Sequence, residues 1–292
     1  MMRIQICLLC AGLTIATTSF AWGSWVGVLE DWPISPVIPE KAASGRHAEI
    51  KYEPRIRPLF FRSDQKQWQA APRPGEAEPI APLPKALSWD VCFSGRSEGQ
   101  LTGNLVAEGM PTTSPPYILR PEDHAPWRTR RALEYAGWLA VPVYKPILLL
   151  SSLNSNCKDN EKWRRSGSGK LQKLIPTMIA ELRKSFLAAN PGTVQYQFDD
   201  KNVKLSQSWV SPKHGMFAAV KTIPKSTDME TFQISASGEL TYKARNMIFI
   251  DAGDFDGDGA TELLFRRHGN KKDVYMLFAK GVMVAESIWD YQ

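Results

Sequence analysis

The chain has 292 residues, 43% of them hydrophobic, and a formal net charge of +6 at pH 7. This length and composition suffice for a large hydrophobic core and exclude a disordered or low-complexity chain. The basic residues form three short clusters, which are Arg128, Arg130 and Arg131; Lys162, Arg164 and Arg165; and Arg266, Arg267, Lys271 and Lys272. Such clusters either face anionic partners or are solvated surface. We expect no nucleic-acid partner, because the N-terminal sequence predicts export.

Residues 1–21 have the layout of a secretory signal peptide. Arg3 is their only charged residue, Ile4 to Ile15 is mostly apolar, and Ser19-Phe20-Ala21 places small residues at the −3 and −1 positions of a cleavage site. A lipid anchor on Cys10 is the alternative. No other apolar run approaches the ~20 residues of a membrane helix. We therefore predict cleavage after Ala21 and a periplasmic or secreted protein without a transmembrane segment.

Two cysteines, Cys92 and Cys157, remain after this cleavage. An even pair in an oxidising compartment favours a disulfide. The bond would close a long loop and would stabilise the fold by roughly 4 kcal/mol on a chain-entropy estimate. Two buried free thiols are the alternative.

Residues 22–86 are predicted to be an irregular, proline-rich N-terminal segment with short edge strands. Ile56 to Phe61 is one such strand, and it contains Pro58, which sheets tolerate at an edge. Five prolines follow between Pro72 and Pro84, so the chain there should be extended and loop-like. We place the boundary to the next domain after residue 86.

Residues 87–292 are predicted to form a mainly β (α+β) domain of antiparallel sheets. One clear amphipathic helix is predicted near residues 170–189, because apolar residues recur there at intervals of three and four. Asn190-Pro191-Gly192 should end this helix. The strand sequences that follow are TVQYQF, KLSQSWV, MFAAVKTI, TFQIS, LTYKA, MIFIDA, ELLFRR, DVYMLF and VMVAES. Short strands at this spacing favour antiparallel pairing.

The stretch GDFDGDGATELL, which begins at Gly253, places four acidic residues in nine positions. Hard divalent cations such as calcium take six to eight oxygen ligands, many of them from carboxylates. Asp254, Asp256 and Asp258 occupy positions 1, 3 and 5, the carbonyl of Ala260 falls at position 7, and Glu262 stands at position 9. Gly257 and Gly259 let the backbone coil tightly. An EF-hand is excluded, because its position 12 requires Glu and this chain has Phe265 there.

The run from Asp254 to Glu262 resembles the calcium loop of FG-GAP or VCBS-type repeats, which occur in integrin-like β-propellers. The following Leu263-Leu264-Phe265 fits the second strand of that family, and the resemblance extends from Asn246 to the C-terminus. It implies a structural Ca²⁺ bound by Asp254, Asp256, Asp258, the Ala260 carbonyl and Glu262. The family usually repeats this loop several times, and this chain has one copy. We therefore expect a C-terminal propeller-blade-like hairpin and not a full propeller.

Gly95-Arg96-Ser97-Glu98-Gly99 matches G-x-S-x-G, the nucleophile elbow of α/β-hydrolases. Such an elbow needs a strand before it and a helix after it, and the sequence after Gly99 makes a poor helix. Two hypotheses of function follow. The first is an exported, non-catalytic β-rich protein with a structural calcium loop, which binds a protein or glycan partner at the cell envelope. The alternative is a secreted hydrolase that uses Ser97 or carboxylates brought together by the fold.

Overall fold

The computed structural model describes residues 23–33, 52–63, 67–72, 83–105, 116–118, 133–135, 142–144, 146–151, 155–166, 172–173, 175–192, 198–223, 228–268 and 272–290. Over these ranges the protein is mainly antiparallel β-structure with one α-helix, which confirms the predicted fold class. None of the helical structure in these ranges has the length and apolarity needed to cross a bilayer.

The first half of the chain supplies nine strands. They are β1 (Ser24–Pro33), β2 (Tyr52–Arg62), β3 (Gln69–Ala70), β4 (Ala86–Cys92), β5 (Ser97–Leu105), β6 (Tyr117–Ile118), β7 (Leu133–Tyr135), β8 (Pro142–Tyr144) and β9 (Ile147–Ser151). Strands β7 and β8 form a separate hairpin. The other strands make one sheet in the order β1-β9-β4-β5-β6-β2-β3. Because β1 also pairs with β2, six of these strands close into a barrel and β3 lies outside it.

The structure differs from the prediction at the start of the chain. Strands β1 and β2 are 10 and 11 residues long, and β2 pairs on both sides and is not an edge strand. Of its two prolines, Pro58 is tolerated because it lies beside a register shift, at which the pairing passes from Val26–Phe60 to Gly27–Pro58. Strands on both sides of residue 86 therefore share one barrel.

Aromatic side chains dominate the apolar core shared by the barrel strands. Trp89 is fully buried, and a Cβ placed on Gly27 would lie 3.0 Å from its ring. Gly27 is thus the residue that lets β1 approach the indole. Trp25 and Phe61 stack with ring centroids 5.3 Å apart, which joins β1 to β2.

The second half of the chain forms two successive antiparallel sheets and the helix. The elements are β10 (Arg164–Arg165), α1 (Ile175–Ala189), β11 (Lys204–Ser211), β12 (Gly215–Lys221), β13 (Glu230–Ile234), β14 (Leu240–Arg245), β15 (Met247–Gly253), β16 (Glu262–His268), β17 (Lys272–Ala279) and β18 (Val282–Asp290). Strands β10 to β14 form a five-stranded sheet in chain order, and β15 to β18 form a four-stranded one. The strands predicted from KLSQSWV onward are confirmed, whereas most of TVQYQF lies outside the described residues.

Helix α1 follows its sequence signals closely. Pro176 lies in the first turn, where its missing N–H costs no internal hydrogen bond. At the other end Asn190 donates its side-chain amide to the Phe186 carbonyl at 2.8 Å, and Gly192 has φ +88°. The predicted helix is confirmed over Ile175–Ala189, while residues 167–171 are outside the described ranges.

The elements stack in layers around the four-stranded sheet. One face of this sheet, with Leu264, packs on Val26 and other residues of the barrel strands. The opposite face, with Phe265, packs on Phe217 of the five-stranded sheet. Phe186 of helix α1 belongs to the cluster that covers the far face of the five-stranded sheet. The strands on either side of the acidic loop are therefore held from both faces.

A buried ion pair between β1 and β2 of the barrel contacts two residues of the four-stranded sheet. Arg57 is fully buried and its Nε donates to Glu30 Oε1 at 2.6 Å. The Tyr275 hydroxyl donates to Glu30 Oε2 at 3.2 Å, and the Arg57 guanidinium lies 4.3 Å from the centroid of the Trp289 ring. Because buried charges are costly unless they are paired, these contacts connect the barrel to the four-stranded sheet at a position that tolerates little change.

Candidate metal centre

The acidic loop joins the first and second strands of the four-stranded sheet. Gly253 at the end of β15 pairs with Glu262 at the start of β16, so residues 254–261 form the connection. Gly257 and Gly259 have φ +76° and +83°, the left-handed region that glycine enters without a Cβ clash. Two left-handed residues this close turn the backbone around the carboxylates.

Three of the four predicted carboxylates come together. One oxygen each from Asp254, Asp256 and Glu262 lies within 4.8 Å of the other two. Oxygens on opposite sides of a calcium ion, each at about 2.4 Å from it, are about 4.8 Å apart, so these oxygens fit a common centre. Asp258 is exposed and lies outside this group, and its Oδ1 accepts a hydrogen bond from the Ala260 N–H at 2.7 Å.

Asp254 has one satisfied oxygen and one unsatisfied oxygen. Its Oδ2 accepts from the Gly259 N–H at 3.0 Å. Its Oδ1 is buried and has no hydrogen-bond partner among the described residues. Asp254 as a whole is 7% exposed. An unpaired buried carboxylate oxygen is costly, because it has lost its water without a replacement donor or cation.

Because these carboxylates are buried, negative charge on them is energetically costly unless it is neutralised. Glu262 is 1% exposed and accepts from the Phe255 N–H at 2.7 Å. Desolvation raises the pKa of Glu262 to about 8, against the lowering effect of the Phe255 hydrogen bond, and the charges of Asp258 and Asp254 raise it further. Burial also raises the pKa of Asp254. At neutral pH the site therefore favours a proton or a cation.

Arg62, the last residue of β2, forms an ion pair with Asp256 Oδ2. The guanidinium offsets part of the negative charge of the loop and lowers the pKa of Glu262. It also connects the barrel to the loop. The sequence carries no local signal for this contact, because Arg62 and Asp256 are far apart along the chain.

A mostly irregular segment, residues 156–163, lies against the loop, and we call it the clamp segment. Asn156 and Asp254 exchange two backbone hydrogen bonds, at 2.7 and 2.8 Å. Thr261 Oγ1 donates to Asp159 Oδ1 at 3.1 Å and accepts from the Glu161 N–H at 3.1 Å. These contacts hold both ends of the acidic loop against residues about a hundred positions earlier in the chain.

The disulfide predicted between Cys92 and Cys157 is confirmed, with Cα atoms 5.2 Å apart and a sequence separation of 65. It attaches the clamp segment to β4 of the barrel. Phe255, inside the acidic loop, is fully buried in the same apolar cluster as both cysteines. The loop is thus anchored by a buried ring on one side and a covalently fixed segment on the other.

Ser97 lies in a hairpin and not in a nucleophile elbow. Phe93 and Arg96 exchange backbone hydrogen bonds around Ser94 and Gly95, which both have positive φ, and Cys92 pairs with Ser97 across the turn. Strand β5 begins at Ser97, where an elbow would begin a helix. The G-x-S-x-G match is therefore explained by hairpin geometry.

Sequence reasoning did not identify Arg62, Asp159 or Thr261 as part of this site. Of these three residues, only Asp159 has a local signal in the sequence, because Asp is common in turns. Its Oδ1 accepts from the Glu161 N–H at 3.0 Å. Comparison of the chain with protein-family models, with curated proteins and with solved structures finds no match. The interpretation of the site therefore depends on its own geometry and chemistry.

Proposed function

We propose that this chain is an exported, non-catalytic β-rich protein whose loop from Asp254 to Glu262 binds one structural calcium ion. Its β-rich body would act as a binding or envelope-associated module for a protein or glycan. The proposed ligands are Asp254, Asp256, Asp258, the Ala260 carbonyl and Glu262. The export proposal is supported by the layout of residues 1–21 and by the disulfide.

The unpaired Asp254 Oδ1 is the observation that carries the calcium proposal. It is buried beside Asp256 and Glu262, whose oxygens lie within reach of the same centre. A divalent cation there would pair with this oxygen and neutralise several carboxylates at once. Asp258, outside the three-residue group, would need to turn inward when the ion binds.

The position of the loop in the sheet also supports the resemblance to FG-GAP or VCBS-type repeats. The loop joins the first and second strands of a four-stranded antiparallel meander, and β16 follows directly with Leu263-Leu264-Phe265. A blade-like unit with a single calcium loop is our proposal for this sheet.

A structural role for the ion follows from what the loop touches. Asp254 at its start pairs with Asn156, and Thr261 near its end contacts the clamp segment. Phe255 is buried in the cluster that the loop shares with the barrel. Neutralising the carboxylates would therefore stabilise the contact between the barrel and the four-stranded sheet.

The test is thermal unfolding in EDTA and in 5 mM calcium, with the parent and Asp254→Asn. With a dissociation constant of roughly 10⁻⁴ to 10⁻³ M, calcium should raise the melting temperature of the parent by about 2–8 °C. Asp254→Asn keeps the side-chain shape and removes one ligand charge, so the calcium response should disappear.

Asp90→Asn is the matched control. Asp90 is a half-buried barrel residue whose Oδ1 accepts from Gln100 Nε2 at 2.9 Å, a bond that Asn can keep. This variant should respond to calcium as the parent does. A parent that melts identically with and without calcium, or an Asp254→Asn variant that keeps the response, would contradict the assignment.

A further inference from the structure

A concave basic groove lies beside the clamp segment, at the edge of the five-stranded sheet. Its volume is about 570 Å³, and it is lined by Lys162, Arg164, Arg165, Ser166, Val210 and Pro212. The two arginines form the edge strand β10, which pairs with Val210 and Trp209 of β11. The three basic residues are exposed.

The acidic residues of the same segment are engaged in hydrogen bonds and an ion pair with groups that do not line this groove. Glu161 is 8% exposed, its Oε1 lies 2.7 Å from His214 Nε2, and its Oε2 accepts from the Trp163 indole at 3.3 Å. The Asp159 carboxylate accepts from Thr261 and from the Trp163 N–H. Both carboxylates therefore already have partners of their own, and neither forms an ion pair with a cation of the groove.

Three exposed cations therefore line one groove, and the described residues supply no paired carboxylate for them. Among the described residues, no carboxylate forms an ion pair with Lys162, Arg164 or Arg165. Like charges held together in this way repel one another and destabilise the fold slightly. Such local conflict is typical of residues retained for binding.

We propose that this groove binds a small sugar carrying several sulfate or phosphate groups. The planar guanidinium groups of Arg164 and Arg165 suit oxyanions, to which arginine donates paired hydrogen bonds, and Lys162 adds a further point charge. Val210 and Pro212 supply an apolar surface for the C–H face of a sugar ring. This names a ligand class for the binding role proposed above, and it does not require the calcium site.

The shape of the site favours a small ligand over a membrane surface. A flat bilayer would contact the rim of a groove and leave its lining residues unused. The open groove, with a volume of about 570 Å³, instead admits one or two sugar rings that carry charged groups.

The experiment is calorimetric titration with sucrose octasulfate in EDTA, using the parent and a Lys162→Gln/Arg164→Gln/Arg165→Gln variant. We expect saturable binding to the parent that weakens with salt, and an affinity lower by about tenfold or more in the variant. Because all three side chains are exposed, the variant should melt cooperatively at or above the parent's temperature. Working in EDTA separates this result from failure of the calcium proposal.

The matched control is Lys184→Gln/Lys201→Gln/Lys204→Gln, which removes the same charge from three other exposed positions. It should bind within about twofold of the parent. An equal loss in this control would overturn the proposal, since net charge alone would then explain binding.

Two further probes distinguish the source of the anion. Inorganic tripolyphosphate should bind more weakly than the sulfated disaccharide, because it lacks an apolar body to pack on Val210 and Pro212. Vesicles of phosphatidylglycerol and phosphatidylcholine should not compete. Equal affinity for tripolyphosphate, binding to vesicles without binding to the sugar, or binding to none of these probes would each refute the proposed ligand class.

Discussion

Two connections in the same four-stranded sheet reverse the chain in different ways. Ala279 pairs with Val282, so Lys280 and Gly281 alone make the turn between β17 and β18, with φ +51° and +78°. The β15–β16 connection uses residues 254–261 for the same reversal. Since two residues suffice to close such a hairpin, reversal of the chain does not account for the length of the acidic loop.

The difference lies in where the side chains go. At the short turn, Val282 and Met283 are 63% and 49% exposed. Reversal of the backbone is therefore enough to explain this connection. In the acidic loop Asp254 and Glu262 are buried together with Phe255. A connection that buries carboxylates in this way, against their desolvation cost, depends on whatever neutralises them.

The largest expected effect is from Phe255→Ala. This fully buried ring anchors the loop between the barrel and the sheet, so its removal should lower the free energy of unfolding by about 3–5 kcal/mol. Denaturant unfolding at fixed calcium measures it. Met283→Ala, beside the short turn, is the control and should change stability by less than about 0.5 kcal/mol. Similar losses in both variants would show that the two connections are anchored alike.

Glu262→Gln is expected to have a smaller effect on the free energy of unfolding, and calcium should reverse the sign of this effect. Without calcium the pKa of Glu262 is about 8 in the folded protein, against an ordinary value of 4.5. The unfolded chain then releases this proton before the folded protein does, so the parent loses stability as pH rises from about 4.5 to 8. Because Gln does not ionise, the variant in EDTA should become more stable than the parent by about 1–3 kcal/mol at pH 8.5.

Saturating calcium should reverse that order at pH 8.5, because the variant lacks a ligand charge. Thermal or urea unfolding at pH 5 and pH 8.5, each with EDTA and with calcium, gives the stability of the variant relative to the parent in four conditions. A variant whose stability relative to the parent is the same in all four conditions would show that Glu262 neither titrates nor binds an ion in this range.

Much of the C-terminal half could be predicted from sequence because its strands pair with their neighbours in the chain. Successive strands such as β16 and β17 are neighbours in the sheet, and apolar runs separated by turn residues suffice to locate them. Helix α1 was likewise identified by its spacing and by Asn190-Pro191-Gly192. Three carboxylates of the loop could be grouped because their spacing along nine residues is itself local.

The barrel and the surroundings of the loop could not be predicted, because they depend on long-range pairing. Val26 pairs with Leu150. The prolines of the N-terminal region predicted irregular chain, yet several of them lie in two long strands, with Pro58 beside the register shift at Gly27. Thr261 meets Asp159 across 102 positions. The disulfide is the only contact between residues far apart in sequence that we predicted, because a pair of cysteines in an exported chain limits the possible partners.

The most direct test of the central claim is a crystal structure of the parent grown with calcium, with anomalous scattering used to locate the ion. We predict one peak inside the acidic loop, about 2.3–2.6 Å from Asp254 Oδ1 and from oxygens of Asp256 and Glu262. The account would be contradicted by a map that has no peak there and shows Asp254 Oδ1 hydrogen-bonded to water or to a protein donor.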